Sequence, residues 1–306
     1  MNDQQNIPQL SAAELTAALA GGQVLLIDVL PQNRYQQIHI PGALQACVFE
    51  VTFLNQVADL ATGIKQPIVV YGADGQTHDA LTAADKLLRA GYQQVSVLTG
   101  GLKAWQDAGY SLEGDAADAT ESRPATIADG RYPVDTENSA IEWAGRNLNS
   151  THVGTLKLSS GEVQVENGII SGNFTIDMNS ISNTDLAGSD LQPVLEDHLR
   201  SDDFFFTSKF PEASFQMSAE PIDGGGFSSA ANYRVSGQLS LCGVRAEQSF
   251  AANIFANDEG RLIAEAHFDF DRTRWGVIYG STRFFKHLGM HILFDEISLQ
   301  LRLKTK

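Results

Sequence analysis

The stretch Asp197-His-Leu-Arg-Ser-Asp-Asp-Phe-Phe-Phe-Thr-Ser-Lys-Phe-Pro-Glu-Ala-Ser-Phe215 decides how the second half of the chain folds. It opens on polar residues that read as the end of a short helix, Leu195 to Ser201. Three consecutive aromatics follow, Phe204, Phe205 and Phe206. Rings placed between charged residues in this way belong under a cover, since left in water they form a sizeable apolar patch. The Phe210-Pro211 step then favours extended backbone and launches an alternating strand, Ala213 to Ser218, with Phe215 and Met217 on one face.

The same period of two runs on either side of this stretch. Ile141 and Trp143 alternate with Glu142 and Ala144. Ile170, Phe174, Ile176 and Met178 oppose Asn173, Thr175 and Asp177. Further faces carry Tyr233, Val235, Leu239 and Leu241, then Phe250, Ala252 and Ile254. Leu262, Ala264, Ala266, Phe268 and Phe270 follow, and Ile297 to Leu303 closes the series. With one or two strands between Val153 and Val165, the count is eight or nine. That number suits a closed antiparallel barrel, whose closure removes exposed edges. A two-sheet sandwich shows the same alternation, and periodicity alone does not choose between them.

Upstream the grammar changes. Ser11 followed by Glu14 reads as a capping box opening a helix that ends near Gly21-Gly22. Short continuous apolar runs at Val24–Val29, Gln66–Tyr71 and Val95–Leu98 read as strands buried on both faces. A helical spacing lies between Ala80 and Ala90, and another helix carries Leu102 and Trp105. Strands alternating with helices imply a largely parallel sheet covered on both faces. The expected division is an α/β unit over 1–113, a linker over 114–130 rich in Ala, Asp, Glu and Thr, and the β unit over 131–306.

A length of 306 residues accommodates two such units, and the formal net charge of −16 argues against nucleic acid and against adsorption to anionic membranes. Cys47 and Cys242 fall in different units, so no disulfide framework is expected. The opening residues show neither a basic region nor an apolar run, and no window approaches a membrane span, which makes the cytoplasm the expected location. Histidines are scattered; His287 and His291 are four apart, but Gly289 interrupts a helix there, so no metal site is expected. No cofactor is expected either.

Two resemblances give these patterns a function. His198-Leu-Arg-Ser, the Asp-Phe-Phe and Phe-Pro steps, Tyr132-Pro-Val-Asp135, Val235-Ser-Gly-Gln-Leu-Ser-Leu241 and Phe270-Asp-Arg-Thr-Arg-Trp-Gly-Val277 together resemble the YceI-like family. That resemblance implies a lipocalin-like barrel holding a polyisoprenoid or similar chain lipid, and leaves room for a homodimer. Leu26-Ile-Asp-Val29, His39-Ile-Pro-Gly-Ala43, Val69-Val-Tyr71 and Leu98-Thr-Gly-Gly101 with Trp105 resemble a rhodanese-like domain. Rhodaneses place a nucleophilic cysteine directly after the Val-Val-Tyr strand. Here the loop reads Gly72, Ala73, Asp74, Gly75, Gln76, Thr77, His78, and glycine cannot form a thiolate. This unit is therefore expected to be catalytically inactive, with no catalytic residues, and to serve as a docking or regulatory module. His78 is read as a solvent-facing residue at a helix start, the rival role being a ligand or base.

The expected ligand is a small hydrophobic molecule, of isoprenoid, quinone or fatty type, in the barrel. Trp143, Phe174, Ile176, Phe204, Phe205, Phe215, Met217, Leu239, Ala264, Ala266, Phe268 and Trp275 are the expected lining. Small residues, Gly172, Gly237, Ala252, Ala264 and Ala266, would leave the void. His198, Arg200, Arg272 and Arg274 are candidates for the polar head, since Arg matches phosphate or quinone oxygens. Surface pairing of these cations with neighbouring aspartates is the competing assignment. Two rival functions stay open: a sulfurtransferase or redox relay through Cys47, and an interaction scaffold with a filled barrel.

Overall fold

The computed structural model describes residues 7–22, 24–115, 127–222, 229–257 and 259–306. The opening six residues and the middle of the expected linker lie outside them. The chain forms two compact units, 1–122 and 123–306.

The first unit is a parallel five-stranded sheet in the order β1-β5-β4-β2-β3. Its strands are β1 (Gln9–Leu10), β2 (Leu25–Asp28), β3 (Leu44–Gln45), β4 (Ile68–Tyr71) and β5 (Val95–Leu98). The helices are α1 (Ala12–Ala20), α2 (Gln32–Gln37), α3 (Phe53–Leu60), α4 (Asp79–Arg89) and α5 (Gly101–Asp107). Strand residues alternate between two cores. Leu25, Ile27, Ile68 and Val70 pack with Phe53, Val57, Ala83 and Leu87 of α3 and α4. Leu26, Val69, Tyr71 and Leu98 pack with Leu15, Leu102 and Trp105 of α1 and α5. Both faces of β2 and β4 are buried, which is why their sequence runs apolar without alternation. The capping box at Ser11 and Glu14 is present in both directions. Helices α2 and α3 and the two-residue strands carried no signal strong enough to read from the sequence.

Asp28 ends β2 inside this core, fully buried, and accepts the Leu30 N–H at 2.9 Å. Burial pushes its carboxyl above the usual carboxylate range. A raised folded-state pKa means the folded chain holds the proton longer than the unfolded chain. Stability is therefore lost as pH rises from about 4, the unfolded value, through the folded one. Asp28→Asn keeps the acceptor for Leu30 and removes the charge. The expected result is a higher Tm than wild type at pH 7 and equal Tm values below about pH 4. Parallel melting curves across that range would show that Asp28 bears no ionisation cost.

The second unit begins with β6 (Gly130–Pro133), β7 (Ala140–Arg146), β8 (Thr151–Glu166) and β9 (Ile169–Asn183). Helix α6 (Leu191–Arg200) follows, then β10 (Glu212–Pro221), β11 (Tyr233–Leu241), β12 (Val244–Ala256), β13 (Leu262–Asp271) and β14 (Glu296–Lys304). Strands β7 to β14 hydrogen-bond in a closed antiparallel ring, β8-β7-β14-β13-β12-β11-β10-β9, and β9 returns to β8. The short β6 pairs with the far half of β8. The structure is thus a barrel, not a sandwich. Of the one or two strands expected between Val153 and Val165, the structure has one, the long β8. Register shifts at Thr155/Lys157 and Leu158/Ser160 bend it so that its first half pairs with β7 and its second with β6. Two tight hairpins fix register: Asn167-Gly168 and Cys242-Gly243 both have positive φ at the two central residues, as a two-residue turn between right-twisted strands requires.

One end of the barrel is covered by α6 with the Phe204–Phe206 stretch, and by the segment from Arg272 to Asp295. Helix α6 starts one turn earlier than read from sequence, with Ser189 Oγ accepting the Leu191 N–H at 3.2 Å. Glu196 fastens it to the barrel, accepting from the Asn183 N–H at 2.8 Å and from Ser182 Oγ at 3.1 Å. The Asn183 hydrogen bond heads the causes that hold the Glu196 carboxyl below its ordinary range.

Candidate functional site

Inside the barrel lies a cavity of about 250 Å³. Every strand of the ring contributes inward side chains, including Trp143, Leu158, Phe174, Phe215, Leu239, Phe250, Phe268 and Leu299. The Phe250 and Phe268 rings stack at 4.0 Å with 2° between planes, and Phe215 lies 5.9 Å from Phe250. Ala252, Ala264 and Ala266 also face the cavity, and short side chains at those positions keep it open. Gly172 and Gly237 do not. A Cβ at Gly172 would press on the Phe174 ring and the Met217 methyl, and one at Gly237 would overlap the Gln216 carbonyl. Those glycines admit neighbouring side chains and backbone, so they account for packing and not for void. At the covered end the lining is completed by Leu195, Leu199, Phe204, Phe205, Leu293 and Phe294.

Few polar groups reach this apolar interior. Trp143 Nε1 and Gln248 Oε1 are buried without a hydrogen-bond partner. Gln248 Nε2 donates to the Ser249 carbonyl at 3.2 Å, which leaves Oε1 as a free acceptor. A buried polar atom without a partner costs free energy that a ligand atom can recover. Arg146, Asn147 and His152 line the covered end. Arg146 Nη1 donates to Ser298 Oγ at 2.8 Å, and His152 Nδ1 lies 2.9 Å from Asp185 Oδ2.

In the first unit the loop after β4 is held against α5: the Leu102 N–H donates to the Gly72 carbonyl and the Lys103 N–H to that of Ala73. Asp74 Oδ1 accepts from the Gln76 and Thr77 N–H groups, and these bonds hold its carboxyl below the ordinary range. The decisive residue is Asp79, 7% exposed at the start of α4. Its carboxyl accepts from the Ala73 N–H at 3.1 Å, Thr77 Oγ1 at 2.8 Å and the Ala80 N–H at 2.9 Å. A Cβ built at Gly72 would overlap that carboxyl. Position 72 therefore has no room for a side chain while Asp79 keeps its place. His78 is exposed at the helix N-cap and makes no side-chain cap bond. Cys47 is 3% exposed, and its N–H donates to Gln56 Oε1.

The family model of the YceI-like domain matches residues 132–305, the entire barrel and more than half the chain. The chain belongs to the YceI-like family. Its first unit matches the rhodanese-like domain model over residues 11–108. Among solved structures, the YceI-like chain is similar to BcnA of Burkholderia cenocepacia, at 21% identity over 56% of this chain and 99% of that one, with a TM-score of 0.45. It is also similar to a polyisoprenoid binding domain from Saccharophagus degradans, at 17% identity over 57% and 97%, TM-score 0.40. The rhodanese-like domain of an Anabaena protein is 29% identical over 40% of this chain and 89% of that one, TM-score 0.33.

Of the lining residues read from the YceI-like pattern, all but Trp275 face the cavity. Trp275 is fully buried outside it, donating Nε1 to the Leu239 carbonyl at 2.8 Å and packing on Phe270. Phe206, with φ of +44°, turns away from Phe204 and Phe205 and meets Phe210 instead. Of the head-group candidates only Arg272 borders the cavity. Its guanidinium donates to the Phe294 and Val277 carbonyls and lies 3.8 Å from Asp295. His198 pairs with Asp203 at 3.0 Å. Arg200 pairs with Glu196 and donates to the Ile181 carbonyl, and Arg274 donates to the Glu247 carbonyl beneath Trp275. Arg200 and Arg274 latch the covering segments to the barrel wall, while His198 and Arg272 tie those segments internally. The sequence reading missed Arg146, His152 and Gln248. Gln248 was legible in part, since it continues the inward register of Phe250, Ala252 and Ile254.

Proposed function

We propose that the YceI-like barrel binds a long-chain lipid of polyisoprenoid, quinone or fatty type and carries or sequesters it, while the rhodanese-like unit serves as a docking or regulatory module without sulfur transfer. One observation carries the lipid reading: a closed barrel encloses an apolar cavity of about 250 Å³ in place of a filled core. Open space of this kind, bounded by aromatic and aliphatic walls, fits a slender apolar chain. The polar end of the chain belongs near Trp143 Nε1, Gln248 Oε1 and Arg272 Nη2, lining groups with hydrogen-bonding capacity to spare, and near Arg146 at the covered end. This placement replaces His198, Arg200 and Arg274, whose polar atoms already have protein partners.

Loss of sulfur transfer rests on Gly72 and on the Asp79 carboxyl that fills the space beside it. The rival relay through Cys47 finds no support in a thiol so deeply buried.

Native mass spectrometry of protein purified without detergent, followed by organic extraction, tests the lipid reading. A stoichiometric extra mass that extracts as a prenyl or acyl species is the expected result. A bare mass that persists after incubation with prenyl and acyl lipids would favour the scaffold reading instead.

A further inference from the structure

Exposed apolar side chains on the barrel unit are gathered at one end. Among its described residues, every exposed large hydrophobic side chain except Ile169 lies near the strand ends beside the cover, or in the cover itself. The densest piece is the segment 283–291, Arg-Phe-Phe-Lys-His-Leu-Gly-Met-His. Phe284 is 53% exposed, Phe285 43% and Met290 78%. This segment carries two permanent cations and two histidines with no acidic residue, in a chain of net charge −16.

Its base is pinned and its crest is free. Arg283 Nη1 lies 2.7 Å from Asp271 Oδ2 and its Nε 2.9 Å from Asp295 Oδ2. Lys286 is exposed and enters no ion pair among the described residues. Two residues after the segment, Leu293 and Phe294 line the cavity, so the exposed crest runs directly into the cavity wall. The other half of the cover is two-sided in the same sense. Leu195 and Leu199 of α6 face the cavity, while Leu191 and Val194 face solvent.

We infer that this end of the barrel docks on a phospholipid membrane. Phe284, Phe285 and Met290 enter the boundary between headgroups and acyl chains, and Lys286 meets lipid phosphate. Aromatic residues beside basic ones are the composition of segments that lie in a membrane interface. The position agrees with the composition, because the cavity wall at Leu293 and Phe294 continues directly into this segment, which is where a chain lipid would pass between bilayer and barrel. The overall negative charge opposes long-range attraction, but charges beyond the Debye length of about 8 Å are screened at physiological salt, and apolar insertion acts at contact. This inference rests on the lipid reading.

Co-sedimentation of the full chain with vesicles tests it, using phosphatidylcholine alone and phosphatidylcholine with a minor share of phosphatidylglycerol. Wild type is expected to sediment with both. Phe284→Ser with Phe285→Ser should lower partitioning on the order of tenfold or more. Lys286→Glu should weaken binding to the vesicles that contain phosphatidylglycerol. Neither variant replaces a lining residue, so both should keep the lipid mass seen in native spectra. Lipid-loaded wild type that stays in the supernatant with both vesicles overturns the docking inference and leaves the lipid reading standing. So does a folded double-Phe variant that sediments like wild type. Wild type that ignores vesicles and forms a dimer dissociated by the Phe substitutions would assign the patch to a second copy. Wild type that neither holds lipid nor sediments overturns both readings.

Discussion

Ala264→Phe combined with Ala266→Phe is expected to abolish lipid retention while leaving the barrel folded. Both positions face the cavity from β13, within reach of Leu301 and Leu303 on β14 and of Ala252 and Ile254 on β12. Adding bulk to a close-packed core costs about 1–3 kcal/mol, because neighbours are forced off their rotamers. Here the added rings enter existing space beside the stacked Phe250 and Phe268, so they gain contacts that the empty cavity lacks. The ligand-free double variant should melt within about 1 kcal/mol of ligand-free wild type, with either sign, and show at least a tenfold loss of bound lipid by native mass. Undiminished lipid in a folded double variant would place the cargo outside this cavity. A control at Gly154 has the opposite signature. Its Cα lies under the Trp143 indole and against the Ser182 carbonyl, and a Cβ there overlaps both. Gly154→Val should therefore lose the fold together with the lipid, by several kcal/mol.

The barrel's strand pattern was legible because one face of each strand meets the interior and the other meets water, so a period of two is imposed on the sequence. Trp143, Phe174, Phe215, Leu239 and Phe268 could be placed in the lining on that ground. What periodicity could not supply was the destination of each small residue. Gly172 and Ala264 look alike in a sequence, yet one gives way to Phe174 and Met217 and the other borders open space. Nor could it place charge. Arg200, Arg272 and Arg274 stand within a few residues of aromatic ones in the sequence, and the chain uses them to bind backbone carbonyls of β9, the covering segment and β12. An unpaired carbonyl has no one-letter sign. Arg146 ends a strand whose alternation says nothing of what lies beyond it, and its place at the cavity end depends on how β7 closes against β14.

Gly72→Cys should not create a sulfurtransferase, and it should destabilise the rhodanese-like unit by about 3 kcal/mol or more. The glycine reads in the sequence as a missing nucleophile. In the structure it is one half of a pair, since the Asp79 carboxyl stands where a side chain at position 72 would go. That carboxyl is engaged by the Ala73 N–H, which a rhodanese-type loop would turn toward its thiolate, and by Thr77 and Ala80. A cysteine introduced alone must displace a buried, hydrogen-bonded group or distort β4, and both routes are costly. Asp79→Ala by itself should also destabilise, by about 1–3 kcal/mol, because three donors lose their acceptor. In the Gly72→Cys background the same substitution should stabilise, because it removes the overlap. This reversal of sign is the signature of two residues sharing one space. It can be read by differential scanning calorimetry of the four proteins, with thiocyanate formation from thiosulfate and cyanide followed in parallel. Equal and additive losses would mean that the loop relaxes freely around a side chain at position 72. Turnover by Gly72→Cys alone would mean that the site lacks a cysteine and nothing else.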